Sequence, residues 1–487
     1  MKITTVSMVA ILIALIGFKP MSSNASPWIG TNQASLHDDL KTLVDHGYIN
    51  SVSMTYPLPW QDIAEQLKSI QVNPNNKTAE LAVFRLRQAL KARLRHNSRI
   101  TLKASSELPR FSSFNYQQVK KGEFNFKTKF ETNNWAGQLS VNAESDGDEN
   151  FNDSYLAFRW GQWQLTASAI DQWWGPAEST SFILTNNADP VPMLGISTSR
   201  AIVDEDSWFS FLGPWYFSAQ LGELESDRAI PDTKLWRTRF NFKPFDSFEF
   251  GLSWAAMWGG QGYGNGFDDF IDVITFRPFC ADGSETCDVE LDTKHGNHLA
   301  GIDIKYSFNI FDTPSTFYVQ TIGEDAKDFY MITDRVYLFG LTSYLWDSKF
   351  YIETGDTTVG CNGFNESIKN CFYEHGDYQS GYRYYGRSMG STFDSDARVT
   401  SIGMKKHFFE GEELHLQIDI ANLNRDGEKP SPVVKGDKEE LLRLSGSYLM
   451  PFNRWSLKVG ASLEQSDIDG ETSESESLVF LEIGYQF

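Results

Sequence analysis

One stretch of this chain carries more recognition chemistry than the rest. It runs Asp171-Gln172-Trp173-Trp174-Gly175-Pro176-Ala177-Glu178-Ser179-Thr180, then Ser181-Phe182-Ile183-Leu184-Thr185-Asn186-Asn187-Ala188-Asp189-Pro190-Val191-Pro192. Indole rings cover the C–H faces of sugars, and carboxamides match hydroxyl donors and acceptors. Trp173, Trp174, Asn186 and Asn187 are therefore the expected carbohydrate-binding residues. Three prolines argue against a plain spanning strand here. An inward-folded loop that narrows a pore is the competing expectation, and the two are compatible.

Catalytic and metal chemistry find little support. The eight histidines are scattered, and no Gly-x-Ser-x-Gly elbow places a serine nucleophile. His295-Gly296-Asn297-His298 reads as a water-exposed loop pair rather than a metal site. Asp268-Asp269 and Glu412-Glu413 are pairs that so acidic a chain produces by composition. Gly259-Gly260-Gln261-Gly262-Tyr263-Gly264-Asn265-Gly266 lacks the strand-to-helix context of a phosphate loop and reads as a flexible extracellular loop. Asn365-Glu366-Ser367 fits a glycosylation sequon, a motif short enough to recur by chance. No catalytic residue, metal ligand or cofactor is assigned. The four cysteines, Cys280, Cys287, Cys361 and Cys371, allow three pairings. The sequence-local one, 280–287 with 361–371, closes two short polar loops and is preferred.

The elements that position these residues begin with an export signal. Lys2, the apolar run Val6 to Phe18 and the small residues Ser23-Asn24-Ala25 predict cleavage after Ala25. Beyond it no stretch approaches the roughly 20 apolar residues of a membrane helix, and mean hydropathy is −0.37. Net charge is −21 over the chain. The leader contributes +2 and residues 26–99 contribute +3, which leaves −26 on residues 100–487. That sign opposes nucleic-acid binding.

Residues 26–99 read as a helical periplasmic domain. Leu36, Leu40, Leu43 and Val44 follow Ser35, an expected N-cap, and Gly47 ends the run. Pro57-Leu58-Pro59-Trp60 reads as a rigid turn. Ile63, Leu67 and Ile70 line a short second helix. A third spans about Thr78 to Arg95, with Arg85, Arg87, Lys91, Arg93 and Arg95 as a solvated or charge-paired face.

From residue 100 the period drops to two. Phe124, Phe126, Thr128 and Phe130 alternate with Asn125, Lys127 and Lys129, and Leu414, Leu416, Ile418 and Ile420 alternate with His415, Gln417 and Asp419. Leu139, Val141 and Ala143 repeat the pattern, as do Leu442, Leu444, Gly446 and Tyr448. In a transmembrane barrel the apolar face meets lipid and the polar face a wet lumen. The chain ends on a strand with Val479, Leu481, Ile483, Tyr485 and Phe487 on one face, like the terminal strand read by the outer-membrane assembly machinery. Strand arithmetic gives about 16–18 strands over residues 100–487. The fold class is thus an all-β, antiparallel transmembrane barrel of the cell outer membrane, with an irregular lumen or mouth segment near 171–205. Fourteen Trp, 19 Tyr and 36 Phe supply more rings than a sugar site needs, so interfacial girdles take most of them.

At Trp173-Trp174-Gly175-Pro176, Ser181-Phe182-Ile183-Leu184-Thr185-Asn186-Asn187 and Pro190-Val191-Pro192 the chain resembles the capsule assembly Wzi family of outer-membrane proteins. Tyr56-Pro57-Leu58-Pro59-Trp60 with Asp62-Ile63 matches a further family feature, and Ala177 stands where the family usually has Gly. The resemblance implies a lectin-like barrel of 18 strands that holds capsular or related polysaccharide, with periplasmic helices that plug or cap its inner mouth. The implied partners are surface polysaccharide, outer-membrane lipid and lipopolysaccharide, and the barrel assembly machinery during biogenesis. The alternative function is a porin-type channel for sugars or other small solutes. An enzyme would need a Ser/His or Asp/His cluster that the sequence does not assemble.

Overall fold

The computed structural model describes residues 28–31, 34–73, 76–93, 98–112, 120–203, 208–275, 296–311, 313–324, 326–327, 331–332, 334–359 and 371–487. The expected signal 1–25, Cys280, Cys287, Cys361, His295 and the Asn365 sequon lie outside the described residues. Among the described residues no cysteine is free, but the expected pairing of Cys371 with Cys361 also falls outside them.

Three helices precede the barrel: α1 (Ala34–Asp45), α2 (Gln61–Ser69) and α3 (Lys77–Arg93). Leu36, Leu40, Leu43 and Val44 form the buried stripe of α1 and join Ile63, Leu67, Val83 and Leu86 in one core. Ser35 lies inside the first turn of α1 rather than capping it, because the helix already begins at Ala34. Gly47 follows the helix with φ 73°, the left-handed conformation that stops helices. Pro57 does not sit in a bare turn. Leu58–Pro59 pairs with Trp28–Ile29, and Thr55–Tyr56 pairs with Trp173–Trp174.

The barrel strands are β1 (Ser98–Ser105), β2 (Gly122–Glu131), β3 (Trp135–Glu144), β4 (Ser154–Trp160), β5 (Trp163–Ala169), β6 (Met193–Thr198), β7 (Trp215–Glu223), β8 (Lys234–Phe245) and β9 (Phe248–Trp258), then β10 (Gly296–Ile310), β11 (Thr313–Gly323), β12 (Arg335–Leu345), β13 (Ser348–Asp356), β14 (Ala397–His407), β15 (Glu413–Leu423), β16 (Glu439–Phe452), β17 (Trp455–Ile468) and β18 (Glu474–Gln486). All pair antiparallel with their sequence neighbours. The ring closes where β18 meets β1, from Phe480 opposite Ser105 to Gln486 opposite Arg99. A closed ring leaves no unpaired edge in the bilayer.

Alternation sets inside against outside. On β15 and β16, Ile420 and Leu442 are 55% and 50% exposed, whereas Asp419 and Arg443 are buried in the lumen. On β18, Val479 is 61% exposed and Phe480 6%. Two-residue turns at 161–162, 246–247, 346–347 and 453–454 crowd one end of the barrel, and the longer stretches 259–275, 371–396 and 424–438 lie at the other. Short turns mark the periplasmic end. Exposed Trp160, Phe245, Phe311, Trp346, Phe409 and Phe452 lie at or next to strand ends there, the expected interfacial girdle. The helices sit at the same end. Phe84 of α3 stacks on Phe409 at 5.6 Å, and Arg159 donates to Gln61 at 2.9 Å. Arg85 on the basic face of α3 pairs with Asp39 of α1, Nε to Oδ2 at 2.8 Å.

The Gly-rich stretch 259–266 turns at the outer end and leads into a short helix, α4 (Phe267–Ile274). Asp269 caps it by accepting from the Gly266 N–H at 2.7 Å. His298 is not in a water-exposed loop. It lies on β10, where its Nδ1 accepts from Trp254 Nε1 at 3.2 Å.

Candidate functional site in the plugged lumen

The lumen is packed with protein. From the periplasmic end α1 presents Asp38, Lys41 and Asp45 to the inner wall. From the outer end the segment between β5 and β6, residues 170–192, folds inward as a strap. The two meet at a buried charge cluster. Lys41 Nζ donates to Glu178 Oε1 at 2.6 Å and to the Pro176 carbonyl at 2.7 Å. Lys349 on β13 and Lys405 on β14 each reach Glu178 at 2.6 Å. The same two lysines lie 3.1 and 3.3 Å from Asp38. Burial works against ionising Glu178, yet Lys349, Lys405 and Lys41 outweigh it and hold its carboxyl well below the usual range. Burial also opposes ionisation of Asp38, and Lys405 and Lys349 outweigh it. A second staple lies beside the first: Lys305 on β10 pairs with Asp45 at 3.2 Å and with Glu249 on β9 at 3.1 Å.

The strap's shape follows from its sequence. Gly175 adopts φ 151°, and a Cβ there would meet Gln320 Nε2 at 2.8 Å and Ser181 Oγ at 2.9 Å. Ala177 keeps a negative φ, so its methyl is tolerated, and its carbonyl accepts from Trp173 Nε1 at 3.1 Å. Wall residues satisfy the strap's backbone. Glu353 accepts from the N–H groups of Glu178 and Ser179 at 2.6 and 2.8 Å, and Gln320 accepts from Phe182 N–H at 2.6 Å. Buried backbone inside a barrel needs such partners.

Trp173 and Trp174 are each 1% exposed, Asn186 4% and Asn187 1%. Their backbones pair with Tyr56 and Thr55, which holds the strap to the N-terminal part, and both indoles are turned away from solvent. Asn187 donates to the Ser388 carbonyl at 3.0 Å, and its Oδ1 accepts from Thr392 Oγ1 at 3.0 Å. The strap brings all four residues into the lumen, enclosed by protein.

Sequence reasoning missed a second inward segment, residues 371–396 between β13 and β14. Tyr373 and Tyr382 donate to the carbonyls of Phe182 and Ile183 at 2.6 and 3.0 Å, zipping this segment to the strap. Arg383 donates to both Asp394 oxygens at 2.8 and 2.7 Å, and the Asp394 carboxylate, with Glu374, drives its guanidinium pKa upward against burial. The signal was available: Gly381-Tyr382-Arg383-Tyr384-Tyr385-Gly386-Arg387 has rings and glycines without alternation.

Beside the strap, an outward cleft is lined by Asn142, Glu144, Asn150, Asp153, Asp171 and Asp189. Its amides are aligned by their neighbours: Asn142 donates to Asn150 Oδ1 at 2.8 Å, and Asn150 donates to Glu144 at 2.5 Å. Burial, with Glu144 nearby, pushes the Asp189 carboxyl up to about 6. Burial, with Asp153 and Asp189 nearby, pushes Asp171 well above the usual range. Asp171 Oδ1 is buried with no hydrogen-bond partner among the described residues. The cleft therefore mixes carboxamides with carboxyl groups, which match hydroxyl donors and acceptors.

Fold and site together define an outer-membrane β-barrel whose lumen is filled from both ends. The chain belongs to the capsule assembly protein Wzi family, which matches residues 91–477. It is 29% identical over 340 residues to an uncharacterized 55.8 kDa protein in the cps region of Klebsiella pneumoniae. That match takes in 67% of this chain and 64% of the relative, so the chain spans just under two thirds of the relative's length. Among solved structures it is similar to Wzi of Escherichia coli, an outer membrane protein involved in group 1 capsule assembly and described as a carbohydrate-binding β-barrel. The TM-score is 0.78 at 23% identity, over 94% of this chain and 99% of that one. At that identity the likeness is one of fold.

Proposed function

We propose that this barrel binds surface polysaccharide at the outer face of the membrane and anchors or helps assemble it, without chemical transformation. The observation that carries the reading is the meeting of α1 and the strap at Lys41 and Glu178, which fills the lumen where a porin would keep water. Family membership supplies the substrate class. The glycan contacts the outward cleft at Asn142, Asn150, Asp171 and Asp189, where hydroxyls find oriented amides and carboxyls. Trp173, Trp174, Asn186 and Asn187 serve this site by fixing the strap that forms the cleft's inner wall. The apolar outer face and the closing of the ring by β18 against β1 suit a chain inserted by the barrel assembly machinery among outer-membrane lipid and lipopolysaccharide.

The test is genetic. Deleting the gene is expected to release polysaccharide into the medium while total synthesis is unchanged. Equal cell-bound polysaccharide in mutant and parent would contradict the proposal.

A further inference from the structure

The barrel wall has a step. β4, β5 and β6 are seven, seven and six residues long, whereas β8, β9 and β10 have 12, 11 and 15. A strand needs roughly 9–11 residues to cross a bilayer, so the wall is low over β4 to β6. Trp160 pairs with Trp163 at the periplasmic turn of β4 and β5, which puts the shortfall at the outer end.

Helix α4 stands beside the step, outside the barrel. On β9 Leu252, Trp254, Ala256 and Trp258 share the lipid-facing parity, while Met257 joins the lumen core. Leu252 is exposed, yet Ala256 and Trp258 are buried, because Phe270 and Val273 of α4 cover them. The Phe270 ring meets Trp236 of β8 at 5.2 Å and Trp258 at 5.7 Å. Between this helix and the low wall lies an open groove of about 980 Å³, where a water takes about 30 Å³. Leu156, Ala167, Leu194 and Leu221 form its floor in one register across four strands, and Phe267 and Phe270 form its flank. The floor continues into Leu165 and Ile196, exposed on the same outward face. Lys234, paired with Glu223, marks the water-side edge.

We propose that this groove seats an acyl chain of lipopolysaccharide, held between α4 and the low wall. Its floor belongs to the surface that the bilayer covers, so its occupant is a lipid chain rather than a protein or a solute. It lies at the outer end of an outer-membrane barrel and therefore faces the leaflet that lipopolysaccharide forms. A short wall makes the bilayer thin locally, and the acyl chains of lipopolysaccharide are shorter than those of phospholipids. The small side chain of Ala167 leaves the floor deep, and Phe267, 73% exposed, gains cover when a chain lies against it. Lys234 supplies a cation at the edge where a phosphorylated headgroup begins. The groove and the outward cleft lie on opposite sides of the same strand ends, Ser154 and Pro192 lining one, Asp153 and Pro190 the other. The acyl-chain site does not depend on what the cleft binds.

The test uses the full mature chain in detergent, mixed with purified lipid A (the acylated anchor of lipopolysaccharide) or with phosphatidylethanolamine, and reads retained lipid by native mass spectrometry. Ala167→Trp fills the floor from an exposed, lipid-facing position. Phe267→Ala lowers the flank. Ala461→Trp places the same ring on the outward face of β17, opposite Val479 and away from the groove. Parent and Ala461→Trp are expected to keep one lipid A under activation that strips phosphatidylethanolamine. Ala167→Trp is expected to bind lipid A at least about tenfold more weakly, and Phe267→Ala more weakly than the parent. A folded parent that keeps no lipid A would overturn the proposal. So would equal retention of phosphatidylethanolamine, the mark of ordinary annular lipid, or unaltered retention in Ala167→Trp. If Ala167→Trp loses heat-modifiable migration, Phe267→Ala decides, and unaltered retention there would overturn the proposal.

Discussion

Lys41 on the first helix and Glu178 on the inward strap, 137 residues apart in sequence, meet at 2.6 Å inside the barrel. Glu178 is the shared acceptor of three ammonium groups, so its loss is harsher than the loss of any one lysine. Glu178→Gln strands Lys41 beside a neutral amide and leaves Lys349 and Lys405 to share Asp38. Breaking a buried ion pair by removing one partner costs about 3–5 kcal/mol. Thermal unfolding of the detergent-solubilised barrel is expected to show a loss of that size. Lys41→Met, which leaves Glu178 two lysines, should lose less.

The strap fills the lumen together with α1, so removing it should open a path. Replacing residues 176–187 by a Gly/Ser linker of equal length is expected to give steady ion conductance in planar bilayers, where the parent gives none. A parent that conducts steadily would favour the porin reading.

Acid should weaken the plug in two stages. Burial lowers His37 from 6.5 to about 4. Below pH 6.5 the unfolded chain takes a proton that the folded chain refuses until about pH 4, so stability is lost across that window. The linkage is worth about 3 kcal/mol. Glu178 and Asp38 titrate below their ordinary values, so their contribution is complete above about pH 4.5 and is lost as pH falls further. Asp189, raised to about 6, acts with the opposite sign: the folded chain takes its proton first, and stability rises as pH falls from 6 toward 4. Chemical unfolding between pH 7 and 4 should therefore show a shallower decline in His37→Gln than in the parent, and a steeper one in Asp189→Asn.

Trp173→Ala and Trp174→Ala should each cost about 3–5 kcal/mol, because both rings are fully enclosed. Heat-modifiable migration should survive, since the β-ladder is untouched. Asn187→Ala should cost about 1–3 kcal/mol by leaving Ser388, Thr392 and Arg387 without a shared partner.

The barrel was legible wherever one face meets lipid. Phe124, Leu416, Leu442 and Val479 announce their strands because a slip of one residue would turn every apolar side chain into the lumen. The stripe of α1 was legible for the same reason at period 3.6. The strap was legible as an exception, through its prolines and paired tryptophans. What those rings touch was not, since Trp173 meets Tyr56 across 117 positions. The charge cluster was equally hidden. Asp38 and Lys41 look like the polar face of an exposed helix until that helix enters a lumen lined by Lys349 and Lys405. The short strands β4 to β6, of seven, seven and six residues, gave weak alternation for want of length.

Pull-down of surface polysaccharide by the purified, detergent-solubilised barrel tests the central claim most directly. The account predicts saturable capture, weakened by Asn142→Ala with Asn150→Ala and retained in Glu471→Gln. Failure of the folded parent to capture surface polysaccharide above a control barrel would contradict it.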